Sequence, residues 1–212
     1  QVNLLDAWSF GCPQSRKRLF VVVAAPELAM PKNPYLSHSH PAKANNASLG
    51  VMANGLPFGQ RVWEETAFKW QSAEEATADL PDIGDGQTYH CTPFPDHRLP
   101  IDMKALLRKQ LALVPLYPPG MNAAKAWPNL SQHERDLYST RNRETGLMQE
   151  RPPHKLINAF GRVMAKDFFP TITTACAPAE RFNGKVAHWS QQRVISILEA
   201  KRAQGFLDTD VL

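Results

Sequence analysis

Seven consecutive apolar residues, LFVVVAA at positions 19–25, run up to Pro26. A strand with one wet face alternates apolar and polar side chains. An unbroken, β-branched run instead predicts a strand covered on both faces, as in the parallel sheets of α/β proteins. Pro26 closes the run, because proline has no N–H to give to a ladder. Just before it stands FGCPQSRKR, residues 10–18, a Gly-Cys-Pro turn followed by Gln14, Arg16 and Arg18. Alternate residues of an extended segment share a face. Those three are therefore expected on one side, and Ser15 and Lys17 on the other. Two guanidiniums on one face repel unless an acceptor lies between them. The planar arginine fork suits a phosphate, a carboxylate or a base carbonyl; ion pairs with distant carboxylates would serve the same charges.

Composition narrows the classes. In 212 residues, 43% hydrophobic content is enough for a packed core, which argues against a disordered chain. No apolar run approaches the ~20 residues of a membrane-spanning helix, so no membrane partner is expected. The opening QVNLLDAWSF has neither the basic start nor the apolar length of a signal peptide. The net charge of +4 and pI of about 9.0 lean mildly towards an anionic partner. Cys12, Cys91 and Cys176 are far apart and include no C-x-x-C pair. Neither a zinc site nor a disulfide framework is expected, and a reducing compartment fits. Starting at Gln1, with residues 6–11 resembling a loop entering a strand, and ending straight after a helix and turn, the chain is expected to be a piece of a longer protein.

Residues 26–62, rich in Pro, Asn, Ser, His and Gly, are expected to form a long loop with at most a short strand. Three Ser-x-x-Glu capping boxes mark helix starts: Ser72 with Glu75, Ser131 with Glu134, and Ser196 with Glu199. Pro81 stops the first of these helices, and Gly205 sits where the last one needs a C-terminal glycine. Met103, Leu106, Leu107, Leu111 and Val114 make one apolar stripe, predicting a core-facing helix over 102–114. Residues 159–174, AFGRVMAKDFFPTITT, predict two strands around a turn at Lys166–Asp167, and residues 193–195 a short extended entry to the last helix.

Several side chains carry possible chemistry. Thr171, Thr173 and Thr174 offer hydroxyls to phosphates or bases, although β-propensity alone also explains them. Lys201 and Arg202 lie in a last helical turn, where cations complement the dipole. Arg193 stands before the helix N-terminus, where the dipole does not favour it, so a specific partner is expected. His38 and His40 are two apart but lack a third ligand. Cys12, with no histidine nearby in sequence, is expected to be structural rather than a nucleophile.

In this order the segments resemble the DNA (cytosine-5)-methyltransferases. FGCPQSRKRLFVVVAA is similar to that family's motif VIII, with its Gln-x-Arg-x-Arg core. RVISILEAKRAQGFLD, residues 193–208, resembles motif IX, with Ser196 and Leu207 where Thr and Pro are usual. FFPTITT resembles the stretch before motif IX in the target-recognition region. AFKWQSAEEATADLPD and DHRLPIDMKALLRKQLALVP are similar to the eukaryotic maintenance-type branch and its fungal relatives.

The resemblance implies a mixed α/β fold: one strand of a class I S-adenosylmethionine-dependent methyltransferase domain plus an irregular α+β target-recognition domain. Residues 1–26 would end the catalytic domain, 27–192 form the recognition domain, and 193–212 return to the catalytic domain. Gln14 would shape the turn, Arg16 would hold a phosphate near a flipped nucleotide, and Arg18 would contact the exocyclic oxygen of the target cytosine. Thr171, Thr173, Thr174, Arg181, Asn183, Lys185 and Arg193 would lie on the DNA side. Glu199, with Arg193, would brace the two domains, and Gly205 would be structural.

The family's Phe-x-Gly-x-Gly turn for S-adenosylmethionine, its Pro-Cys-Gln nucleophile and its Glu-Asn-Val do not occur in these 212 residues. The implied protein is thus the DNA-reading part of a nuclear enzyme of DNA methylation and silencing. It would be inactive alone, with double-stranded DNA and an upstream catalytic half as partners. Residues 175–188 do not clearly match the guanine-reading residues of CpG enzymes. A non-catalytic DNA-binding relative, or an RNA cytosine-5 methyltransferase, are the alternatives.

Overall fold

The structure is a computed structural model that describes residues 2–32, 34–39, 50–51, 53–55, 57–58, 66–85, 93–100, 103–142, 144–173 and 176–211. It is a mixed α/β chain with small sheets and short helices. Strand β1 (Val2–Asp6) pairs antiparallel with β2 (Lys17–Val21), placing Leu4 opposite Leu19 and Leu5 opposite Arg18. Between them, residues 7–10 form a 3-10 turn ended by Gly11 at φ 92°. A side chain at Gly11 would meet the His38 ring at 2.8 Å, so glycine is needed there twice over. Two further two-stranded ribbons follow, β3 (Gly50–Val51) with β4 (Pro57–Phe58) and β5 (Thr140–Arg141) with β6 (Met148–Gln149).

This corrects the expectation drawn from residues 19–25. The strand stops at Val21, its partner is antiparallel, and every β2 residue is exposed; Val21 is 63% exposed and Val23 85%. A two-stranded ribbon has no second layer, and among the described residues none buries β2. The start of the chain also differs: residues 2–6 are strand, and residues 7–10 a helical turn rather than a loop.

The helices are α1 (Ala105–Ala112), α2 (Ala123–Ala126), α3 (Gln132–Asp136) and α4 (Ile197–Ala203). All three expected capping boxes form, each with its serine hydroxyl accepting from the glutamate backbone N–H and the glutamate carboxylate accepting from the serine N–H. The box at Ser72 starts only a 3-10 turn, Glu75–Thr77. Around α1, Met103, Leu111 and Val114 are buried as expected, while Leu106, at the edge of the stripe, is exposed.

Two apolar clusters form the core. One gathers Phe169, Ile172, Val194 and Ile195 beneath α1 and α4. The other gathers Trp127, Tyr138, Leu156 and Phe160 around α2 and α3. Leu107 packs against both.

The strands expected in 159–174 and 193–195 are single bridges instead. Arg162 pairs parallel with Ala187, and Ala187 antiparallel with Val194. Only the turn at 165–167 appears as expected.

Much backbone outside regular elements is satisfied by one side chain. Arg162, 1% exposed, donates to the carbonyls of Val114, Pro115, His188 and Gln191 and to Gln192 Oε1, at 2.7–3.2 Å. All five N–H groups of its fork are used without a carboxylate partner. Burial lowers its pKa to about 10, still above physiological pH. The charge is therefore kept and spread over carbonyl dipoles.

Candidate nucleic-acid interface

The turn before β2 is sewn to the segment before α4. Phe169 N–H donates to Pro13 O at 2.8 Å and Ser15 N–H to Phe169 O at 2.9 Å, giving a parallel bridge between Gln14 and Phe169. The Thr171 hydroxyl donates to Ser15 O at 2.7 Å. The Phe168 ring stacks on Trp8 at 5.7 Å and meets Trp70 edge-on at 5.0 Å. Positions more than 150 apart in sequence are thereby fixed side by side.

At this seam lies a cavity of about 550 Å³ whose wall includes Arg16, Arg18, Thr171, Thr173, Cys176 and Gln204. Asp6 Oδ1 accepts the Arg16 N–H at 3.1 Å, anchoring the backbone of Arg16 rather than its guanidinium. Arg18 donates to a neighbouring carbonyl, Lys17 O, at 2.8 Å. Among the described residues neither arginine forms an ion pair with a carboxylate. The same two arginines, with Lys32, also border a second cavity of about 440 Å³ against β1 and β2, walled by Leu5, Phe10 and Phe20.

Gln14 does not join them on that face. It is 1% exposed, and its amide nitrogen has no partner among the described residues. The bridge to Phe169 draws it inward before the strand begins. Thr173 lines the cavity, Thr171 has its proton committed to Ser15, and Thr174 lies outside the described residues. His40 and Cys91 lie outside them as well.

Arg193 is not a surface group. It is 1% exposed and clamps Glu199 with both Nη atoms at 2.8 Å. Its expected place among the DNA contacts is therefore corrected; the specific partner expected for it is Glu199, which the sequence alone did not name. Burial opposes ionisation of Glu199. Hydrogen bonds from Arg193 and His188 outweigh that and hold its carboxyl far below the usual range.

His188 completes the cluster, with Nε2 3.5 Å from Glu199 Oε1. Its Nδ1 accepts the Ser190 and Gln191 N–H groups at 3.2 Å, which puts the proton on Nε2. Burial pushes the His188 pKa down against the pull of Glu199, so the ring is neutral.

The two basic residues of α4 do more than complement its dipole. Lys201, 1% exposed, donates to Asp96 Oδ2 and to the carbonyls of Asp208 and Asp210. Arg202 bridges Asp79 and Asp208, whose hydrogen bonds raise its pKa further. His97, buried, joins Ser196 Oγ to Pro81 O at 2.9 Å on each side. Asp79, Asp96 and the Ser196–His97 contact were not readable from local spacing, because those pairs lie 99 to 123 positions apart.

Gly205 has φ 82°, and a side chain there would come within 2.5 Å of Cys12 Sγ. The end of α4 thus packs directly on the Gly-Cys-Pro turn.

Beyond the cavity rim the chain continues into a turn at 177–184. Arg181 and Asn183 are exposed there. Lys185 is half-buried against Gly161, and burial lowers its pKa.

The comparisons with known proteins decide the family. C-5 cytosine-specific DNA methylase matches residues 1–209. The chain belongs to that family. It is similar to DNA (cytosine-5)-methyltransferase PliMCI of Paracentrotus lividus, 22% identical over 271 aligned residues that cover 98% of this chain and 16% of the relative. DNA (cytosine-5)-methyltransferase 3 of Arabidopsis thaliana is 26% identical over 98% of this chain and 15% of the relative. DNA (cytosine-5)-methyltransferase 1 of Gallus gallus is 24% identical over 98% and 17%. The chain spans about a sixth of the length of these relatives.

Proposed function

We propose that this chain is the DNA-reading part of a DNA (cytosine-5)-methyltransferase and holds a cytosine that has been swung out of the duplex. The observation that carries this is the cavity shared by Arg16, Arg18 and Thr173, with two guanidiniums that form no ion pair with a carboxylate among the described residues. A base taken out of the stack needs fixed donors on its polar edge, and a phosphate beside it needs a cation. Arg18 supplies the fork for the exocyclic oxygen, Arg16 the charge for the phosphate, and Thr173 a hydroxyl at the rim. The turn at 177–184 faces the surrounding duplex with Arg181 and Asn183. The motif IX helix, latched by Arg193–Glu199 and by Gly205 on Cys12, keeps the seam closed while DNA is bound.

S-adenosylmethionine, the methyl donor of this family, does not suit the two cavities bordered by Arg16 and Arg18. Its sulfonium would face Arg16 and Arg18 in one, and those two with Lys32 in the other. We therefore assign the donor, and the nucleophile that attacks the ring, to an upstream half acting in the nucleus. The exposed apolar residues of β2 are the surface that half would cover, completing a class I methyltransferase sheet. The recognition domain would be 27–192, between 1–26 and 193–212.

The test joins the chain to its upstream half and follows labelled methyl transfer from S-adenosylmethionine to duplex DNA, with tRNA as competitor. Transfer that needs both halves and prefers duplex DNA supports the reading. Salt-sensitive binding with no transfer would make the protein a DNA-binding relative without chemistry, and preference for tRNA would make it an RNA enzyme. Arg18→Ala should cut kcat far more than DNA affinity; equal losses in both would contradict its role at the flipped base.

A further inference from the structure

Resting on that reading, we propose that Phe182 is a base-stacking residue: it lays its ring on a base of the bound duplex next to the target and thereby helps set which sequences are methylated. Single apolar side chains on a surface are ordinary. This one differs in how much structure holds it in water. The ring is 69% exposed at the tip of the 177–184 turn.

The backbone beneath it is ordered from several sides. Glu180 N–H donates to Ala177 O at 3.1 Å, and the Glu180 carboxylate accepts from the N–H groups of both Phe182 and Asn183. Phe160 N–H reaches Pro178 O at 2.6 Å, Gly161 N–H reaches Gly184 O at 3.2 Å, and Arg151 donates to Ala179 O at 3.1 Å. Gly184 is forced by the tightness of the turn: a side chain there would lie 2.5 Å from Pro178 O. A turn so fastened to the buried Phe160–Gly161 segment presents its tip residue with little conformational entropy left to lose.

Charge then selects the occupant. The Arg181 guanidinium lies over the Phe182 ring, 5.2 Å from its centre, and the residue is still 69% exposed. Arg151 is close enough to Arg181 that, after burial, the Arg181 charge further lowers its pKa. Two cations held together beside an exposed aromatic ring fit a nucleic acid, which supplies phosphates for the cations and a π-face for the ring. A purely apolar protein partner would desolvate both charges without supplying a counter-charge. The turn also begins at the cavity rim: Cys176, whose N–H bonds Thr173 O, lines the cavity, and Phe182 follows six residues later, within about 20 Å of chain.

The experiment uses the full enzyme with Phe182→Ala, Phe182→Leu and Phe182→Trp. Affinity is measured on a duplex containing the target cytosine, and on the same duplex with an abasic site walked through the flanking positions. With a stack, Phe182→Ala and Phe182→Leu each weaken binding about 10-fold or more on intact DNA, while Phe182→Trp stays near wild type. At one flanking position the abasic duplex erases the difference between wild type and Phe182→Ala. The slope of affinity against salt does not change, because no charge is lost, whereas Arg181→Ala shallows it. Phe182→Ala or Phe182→Leu matching wild type on every duplex would overturn the proposal and leave the methyltransferase reading standing. So would a change of oligomeric mass in Phe182→Ala with DNA affinity intact. A wild-type enzyme that binds no duplex DNA would bring down both.

Discussion

Replacing Glu199 with glutamine tests the buried latch with the smallest possible change of shape. Glu199 Oε2 accepts from Arg193 Nη1 at 2.8 Å and from Ser196 N–H at 2.7 Å. Oε1 accepts from Arg193 Nη2 at 2.8 Å and faces the His188 N–H at 3.5 Å. Whichever oxygen becomes the amide NH2, it meets two donors. If at Oε2, these are Arg193 and Ser196; if at Oε1, Arg193 and His188. His188 cannot retreat by moving its proton, because Nδ1 already accepts two backbone N–H groups.

The guanidinium, 1% exposed, is then a buried charge without a counter-charge, at a cost of about 3–5 kcal/mol. That is a large share of the ~5–15 kcal/mol that stabilises a whole domain. Native-state hydrogen exchange over residues 186–203 in the full enzyme should speed up about 100-fold or more. Arg193→Met should be similarly damaging, but the pair Arg193→Met with Glu199→Gln should recover much of the loss, because no charge stays buried. A Glu199→Gln effect under about 1 kcal/mol, or simple additivity in the pair, would refute the account.

The remaining expectations follow from the same geometry. Glu199 has a folded-state pKa below its unfolded value near 4.5, so its contribution is present above pH 4.5 and is lost as acid titrates the folded carboxyl; Glu199→Gln should remove that acid limb from a stability profile. His188 is also depressed, from 6.5, so the unfolded chain takes up its proton first and stability should fall as pH drops below about 6.5; His188→Gln should flatten that limb. Arg162→Lys keeps a charge but cannot reach five acceptors, and should cost about 2 kcal/mol or more in urea unfolding. Gly205→Ala meets both the left-handed backbone and Cys12 Sγ, and should cost about 1–2 kcal/mol, part of it returned when Cys12→Ala is added.

Legibility was uneven for physical reasons. Each Ser-x-x-Glu box is closed by atoms three residues apart, so all three could be read in advance and all three form. The Gln14–Arg18 alternation placed Arg16 and Arg18 on a common wall. It failed for Gln14, because the long-range bridge to Phe169 interrupts the extended segment there. The apolar run at 19–25 reported what covering it seeks, not what this chain supplies, so β2 remains exposed. Phe182 escaped notice because an exposed phenylalanine carries no periodicity to flag it.

Residue types and their short spacings alone determined the helix starts, the glycine after α4, the paired arginines before the apolar run and the resemblance to a family. Each depends on groups within a turn or two of one another, or on order along the chain. Only the tertiary structure decided that Arg193 and Lys201 are buried and that Arg16 and Arg18 share a cavity wall. It alone showed that Arg162 serves carbonyls from two distant loops, and that Cys12 rests on Gly205. Those outcomes turn on which partner, often more than 100 residues away, takes each charge or closes each gap. A desolvated guanidinium is bound by whatever acceptors the fold brings within 3 Å of it, and no local pattern encodes that choice.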